Sequence, residues 1–256
     1  MYKSVYTITN MVCTLNQTLF GRYLGLFGDH IVPAVLYRYT QVLRRPDLLN
    51  SKGKPLVTNE RLEAVWKRLS DRFSTVVADT SMITMSTAYA AHFHDIYIDG
   101  KENAKMTGDR MKMLMLTLPF MVRDLIAPEV KLINAAIDNA KHGSRLRGLP
   151  HVADPSPDVV DVLIQCMDWN MASRQSRIPQ DELAELHDKA VDLLDLLKQK
   201  LPDKTGEKSG WNFEKAHSIL HKVREIVMWG NSDNTSCQAP EVCTSMYKYV
   251  QVCIGM

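Results

Sequence analysis

His217 and His221 stand four residues apart in WNFEKAHSILHKVREIVMWG, a spacing that puts two imidazoles on one face of a helix. Two imidazoles so placed can grip one metal ion, and Cys237 and Cys243 follow soon after in the sequence. A two-histidine, two-cysteine zinc site is therefore conceivable. The cysteine spacing is not that of the short Cys-x-x-Cys knuckle, and HSILH lacks the glutamate of the HExxH zinc-protease motif. The competing reading is packing: histidines hydrogen-bonded within a helical core, and cysteines buried as small apolar side chains. Glu241 follows Pro240 as a lone carboxylate, which spacing and composition leave as a surface residue.

Three other stretches carry reactive residue types. HFHD, from His92 to Asp95, puts two histidines on one face only if the chain is extended there, and otherwise reads as a loop or helix end. KHGSRLRG gathers Lys141, Arg145 and Arg147 among glycines with no aromatic neighbour. Such a run can touch phosphate, and otherwise forms a solvated loop. VRDLIAPE mixes Arg123, Asp124 and Glu129, the pattern of a local ion pair at a helix junction. No Walker A, GxGxxG, GxSxG or kinase signature occurs, so no small-molecule cofactor is expected.

The elements that must position these residues are helical. HIVPAVLYRYTQVLRR ends before Pro46, as helices tend to. Thr58 is placed to cap a helix whose Leu62, Val65, Trp66 and Leu69 share a face. STVVADTSMITMSTAYAAHF is rich in β-branched residues but too long for a strand, and reads as helix. The middle of MTGDRMKMLMLTLPFMVRDLI is apolar nearly all round, the mark of a central buried helix, which Pro119 should kink or break. Pro128 suits the first turn of a helix that stops at Gly143. Ser156 and Pro157 open another, with Val160, Leu163, Ile164 and Met167 at helical spacing. From Ile178 to Pro202 an apolar stripe of Leu183, Leu186, Ala190, Leu193, Leu197 and Leu201 marks the strongest helix. It spans only about three heptads, so packing within the domain is expected over pairing with a second chain. A last helix runs from Asn212 to Trp229 and meets Gly230. The segments 46–57, 143–156 and 202–210 read as loops, and only YTITNMVC and SMYKYVQVCI, one in each tail, look extended. The expected fold is mainly α, a helical bundle over residues 25–241 with unassigned tails 1–24 and 242–256.

Composition bounds the function. The chain has 256 residues, 45% of them apolar and 23% charged, as in a globular domain with a real core. A net charge of +2 gives no global attraction to nucleic acid, so any such contact needs a local basic patch. The five cysteines are odd in number and suggest no disulfide framework, which points to a reducing, intracellular compartment. The N-terminus is broken by Thr and Asn too early for a signal peptide, and the longest apolar run is too short to span a bilayer.

The stretch WNFEKAHSILHKVREIVMWGNSDNTSCQAPE resembles the end of the catalytic region of Kyakuja-Dileera-Zisupton transposases, the group that includes the Plavaka-type elements. The matching positions are Trp211, Asn212, Lys215, His217, His221, Gly230, Asn234, Ser236 and Glu241. Leu118, Pro119, Phe120, Arg123, Asp124 and Leu125 are similar to that family's LPF-x-x-R-D-L helix, and YLGLFGDHIVPAVLYRYTQVLRR to its LGLF helix. The resemblance implies a DDE-type enzyme with an RNase H-like core, interrupted by a large helical insertion, acting on DNA in the nucleus. Its three carboxylates would hold two Mg²⁺ or Mn²⁺ ions, one activating the attacking oxygen and one stabilising the leaving oxygen. Glu241 carries over as the third carboxylate. The second aspartate, which the family places before LGLF, does not: CTLNQTLFGRYLGLF has none, and Asp29 lies on the wrong side of the motif. The expectation is a transposase-derived helical domain, catalytically incomplete, that contacts DNA or a related transposase chain. Two alternatives stay open: an active metal-dependent transposase or nuclease using Asp29, Glu241 and another acid, and a structural zinc protein.

Overall fold

The computed structural model describes residues 25–79, 88–100, 108–173, 175, 178–201, 210–212 and 214–229. The chain is mainly helical, and among these residues the only β pairing is an isolated bridge between Leu49 and Pro55. Both extended-looking tails, with Cys237, Glu241 and Cys243, lie outside the described residues.

A π-helical turn, Phe27–Ile31, runs directly into α1 (Val32–Leu43). Its Gly28 is buried, and a Cβ built there would come within 2.2 Å of the Met111 Cε, so a side chain could enter only if Met111 moved. Helix α2 (Asn59–Asp79) starts where Thr58 places its Oγ1 3.4 Å from the amide of Arg61, and its Val65, Trp66 and Leu69 are buried as their spacing predicts. Helix α3 (Ala88–Tyr97) packs on α2 through a run of rings: Phe73 to Phe93 at 4.5 Å between centroids, and Phe93 to Tyr97 at 4.9 Å.

Helix α4 (Gly108–Val122) is the axis of the bundle, touching the π turn, α2 and α6 (Ser156–Ala172). Leu114, Met115, Leu118, Met121 and Val122 are sealed. Burial is not complete all round, however: Leu116 is 40% exposed and Phe120 69%. The helix continues three residues past Pro119 and ends at Val122. Its terminal carbonyls are taken by side chains from distant helices. Tyr39 donates to the Val122 oxygen at 3.0 Å, and Arg72 donates to Met121 and Arg123 oxygens at 2.7 and 2.6 Å. Arg68 reaches the Leu125 oxygen at 3.3 Å and the Glu129 carboxylate at 2.7 Å. Two arginines thus sit at the negative end of a helix dipole and satisfy carbonyls that no helical amide reaches. The chain then reverses through Asp124, which has φ +53.

Helix α5 (Ala127–Asp138) opens with Pro128 in its first turn. It stops five residues short of Gly143, because Asn139 turns its side chain back onto the Ala135 oxygen at 2.8 Å. Helix α6 begins at Ser156 as expected, but its buried face is Val159, Val162, Leu163, Cys166 and Trp169. Of the stripe read from spacing only Leu163 is sealed, and Ile164 is 39% exposed. The apolar residues of that helix spread round more than half of its circumference, so contacts with α4 and α7 (Glu182–Lys200) chose the face within that broad arc. The α7 stripe does pack inside the chain, against α6 and α9 (Lys222–Trp229). The expected single last helix is divided. A short helix α8 (Glu214–His217) precedes α9, joined by i→i+3 bonds from Ile219, Leu220 and Lys222 amides. Trp211 anchors this end, its indole donating to the Leu201 oxygen at 2.7 Å.

Candidate functional site

The break between α8 and α9 removes the single helical face on which His217 and His221 were expected to act together. Both side chains are exposed, and the His217 Nε2 is engaged with the Asn212 Oδ1 at 2.7 Å. Among the described residues these histidines join no group of three potential ligands. Cys237 and Cys243 lie outside the described residues, as does Glu241.

Asp29 is exposed on the π turn, near the Tyr97 hydroxyl. Burial pushes the Tyr97 phenol up, and the Asp29 charge adds to that shift. No cluster of acids converges on Asp29 among the described residues. Arg123 and Asp124 form an exposed contact at 3.8 Å, while Glu129 is held by Arg68 from α2 rather than by a neighbour in sequence.

Lys141, Arg145 and Arg147 are all exposed on the loop that joins α5 to α6. This loop is built, not slack. Successive turns close through Ser144 N to Lys141 O at 3.0 Å, Arg147 N to Ser144 O at 3.2 Å, and Leu149 N to Leu146 O at 3.2 Å. Gly143 and Gly148 supply φ values of +86 and +79, which an L side chain would resist. Leu146 and Val152 are buried, and Asn134 clasps the Val152 backbone with two hydrogen bonds of 3.0 and 2.7 Å. His151 meets Asp138 at 2.7 Å. None of the three cations takes part in an ion pair among the described residues. A fixed backbone therefore presents three positive charges to solvent.

One group escaped the sequence reading. His94, Asp95 and Asp99 bring one nitrogen and two carboxylate oxygens within 4.8 Å of one another at the end of α3. His94 Nδ1 lies 3.3 Å from Asp99 Oδ1. The HFHD motif pointed to this turn, where Asp99 completes the group with His94 and Asp95; the His92 side chain lies outside the described residues. The i,i+4 spacing of Asp95 and Asp99 in HDIYID was the signal. Asp99 also lines a groove of about 570 Å³ between α1, α2 and α3, with Tyr37, Thr40, Glu63, Trp66 and Tyr97.

No protein-family model matches this chain, and no curated protein or solved structure matches it. No helix among the described residues is long and apolar enough to cross a membrane.

Proposed function

We propose that this chain is a transposase-derived helical domain, catalytically incomplete, that contacts the DNA backbone through the loop between α5 and α6. The observation that carries this reading is the fixed presentation of Lys141, Arg145 and Arg147 without acidic partners among the described residues. Cations held this way neutralise phosphates and release counterions, and the arrangement fixes position rather than base sequence.

The resemblance to Kyakuja-Dileera-Zisupton transposases is supported by where its residues fall. Leu26 and Phe27 of LGLF, Leu118 and Leu125 of LPFMVRDL, and Trp211 are all buried. Motifs that close one core are what a shared helical body requires. A nuclear location belongs to the same proposal. Catalysis would need acids beside Glu241, because two divalent ions cannot be held by one carboxylate. CTLNQTLFGRYLGLF, where the resemblance would place the second aspartate, contains none.

Fluorescence anisotropy with a short random duplex between 50 and 200 mM salt tests the reading. The logarithm of affinity should fall linearly with the logarithm of salt. Replacing Lys141, Arg145 and Arg147 together by Ala should cut the slope by about 2–3, at roughly 0.9 per phosphate contact. Equal binding by both proteins, or none at the lowest salt, overturns it. Mg²⁺-dependent cleavage that is lost in Glu241→Ala would refute catalytic incompleteness.

A further inference from the structure

Two carboxylates at the end of α3 are in the wrong place for an isolated helix. The C-terminus of a helix carries partial negative charge, and acids there are disfavoured. Asp95 and Asp99 bring two more negative charges to it, with oxygens inside the same 4.8 Å group, and like charges at this spacing repel. The His94 oxygen already accepts from the Ile98 and Asp99 amides at 2.9 and 3.0 Å, which fixes the turn that holds the acids together. A cation placed among these atoms would be attracted by both carboxylates and by the helix end.

The geometry points to a divalent transition-metal site formed by His94 Nδ1, Asp95 and Asp99. A metal bound at about 2.0–2.2 Å to each ligand sets neighbouring ligand atoms roughly 3.3–3.5 Å apart in a tetrahedron, and the His94–Asp99 separation is already 3.3 Å. One imidazole with two carboxylates suits Mn²⁺ or Zn²⁺ better than Mg²⁺ or Ca²⁺, which favour all-oxygen shells. Asp95 and Asp99 also make other polar contacts, but a carboxylate has about four lone-pair sites and can serve more than one partner. Three protein ligands leave coordination positions for water or an anion. Of the three ligands only Asp99 belongs to the groove lining, so the ion would touch the groove through that residue.

Mn²⁺ is the probe of choice, since it avoids thiolates and so ignores the five cysteines. Loss of the free Mn²⁺ electron paramagnetic resonance signal, titrated on the full chain, should report one equivalent bound. Asp99→Asn, an isosteric change at an exposed residue, and His94→Ala should each weaken binding at least tenfold. The double change of His217 and His221 to Ala should leave it as it was. Circular dichroism confirms that each variant is folded, and Asp99→Asn decides if His94→Ala is not. Absence of saturable binding, or equal affinity in wild type and Asp99→Asn, overturns the site.

Discussion

The Tyr39 hydroxyl donates to the carbonyl of Val122 at 3.0 Å, joining the helix after the π turn to the end of the bundle axis across 83 residues. Tyr39 is fully buried, and so is Val122. Tyr39→Phe keeps the ring and removes one of the two donors to that carbonyl, the Leu125 amide at 3.1 Å remaining. A loss of about 0.5–1.5 kcal/mol is expected, read as a lower urea midpoint at unchanged m value. An unchanged midpoint would show that the bond contributes nothing.

Burial also sets the alkaline limit of the fold. Burial pushes the Tyr39 and Tyr97 phenols and the Cys166 thiol up from their ordinary ranges. In the unfolded chain the thiol ionises near 8.5 and the phenols near 10. The folded values are raised, so the stability these groups confer is complete below the unfolded values. It declines above them as only the unfolded chain ionises, and is gone beyond the folded values. Urea midpoints should be level from about pH 6 to 8 and fall from about pH 8.5 upward. Cys166→Ala should delay that fall towards pH 10; a level profile to pH 10.5 contradicts the assignment.

Asp124 bears a conformational cost that glycine would not. Its φ of +53 lies in the left-handed region, where Asp is tolerated and β-branched residues are not. Its contact with Arg123 spans 3.8 Å between side chains that are 76% and 73% exposed, so little is lost with it. Asp124→Gly should leave Tm level or raise it by up to about 4 °C, and Asp124→Val should destabilise by roughly 1–2 kcal/mol. The reverse order in a melting experiment would refute the turn.

Neighbouring residues of one motif should behave oppositely. Leu118 is sealed in the core, whereas Phe120 is 69% exposed. Leu118→Ala should cost about 2–5 kcal/mol, and Phe120→Ala should stay within about 0.5 kcal/mol. Equal costs in chemical denaturation would mean that Phe120 is covered in the folded protein.

Glu129 and Arg68 form a pair that is lopsided in exposure, with side chains 10% and 37% accessible. Arg68→Ala strands a nearly buried carboxylate and frees the Leu125 oxygen, a loss of about 1–3 kcal/mol after allowance for solvent at the arginine. Glu129→Gln in the same background should recover part of it, since the stranded group is then neutral. No recovery in the double-mutant cycle would assign the loss to packing alone.

The sequence determined the helical class, the Thr58 start of α2, the Ser156 start of α6 and the inward stripe of α7. Each rests on forces that act within one or two turns: a hydroxyl over an amide, a proline ahead of a helix, or apolar residues spaced at 3.6. Periodicity failed where it held no contrast. In α6 the apolar residues cover more than half of the helix surface, so the partners α4 and α7 selected the face. The tertiary structure alone decided the ends of the axis helix and the reactive groupings. Arg68, Arg72 and Tyr39 terminate α4 from 49 to 83 residues away, a relation no local pattern encodes. The histidine pair that looked sharpest is split by a turn, while His94 gains Asp99 because the chain bends back just past α3. Spacing predicts neighbours only while the helix lasts, and both outcomes turned on where a helix stopped.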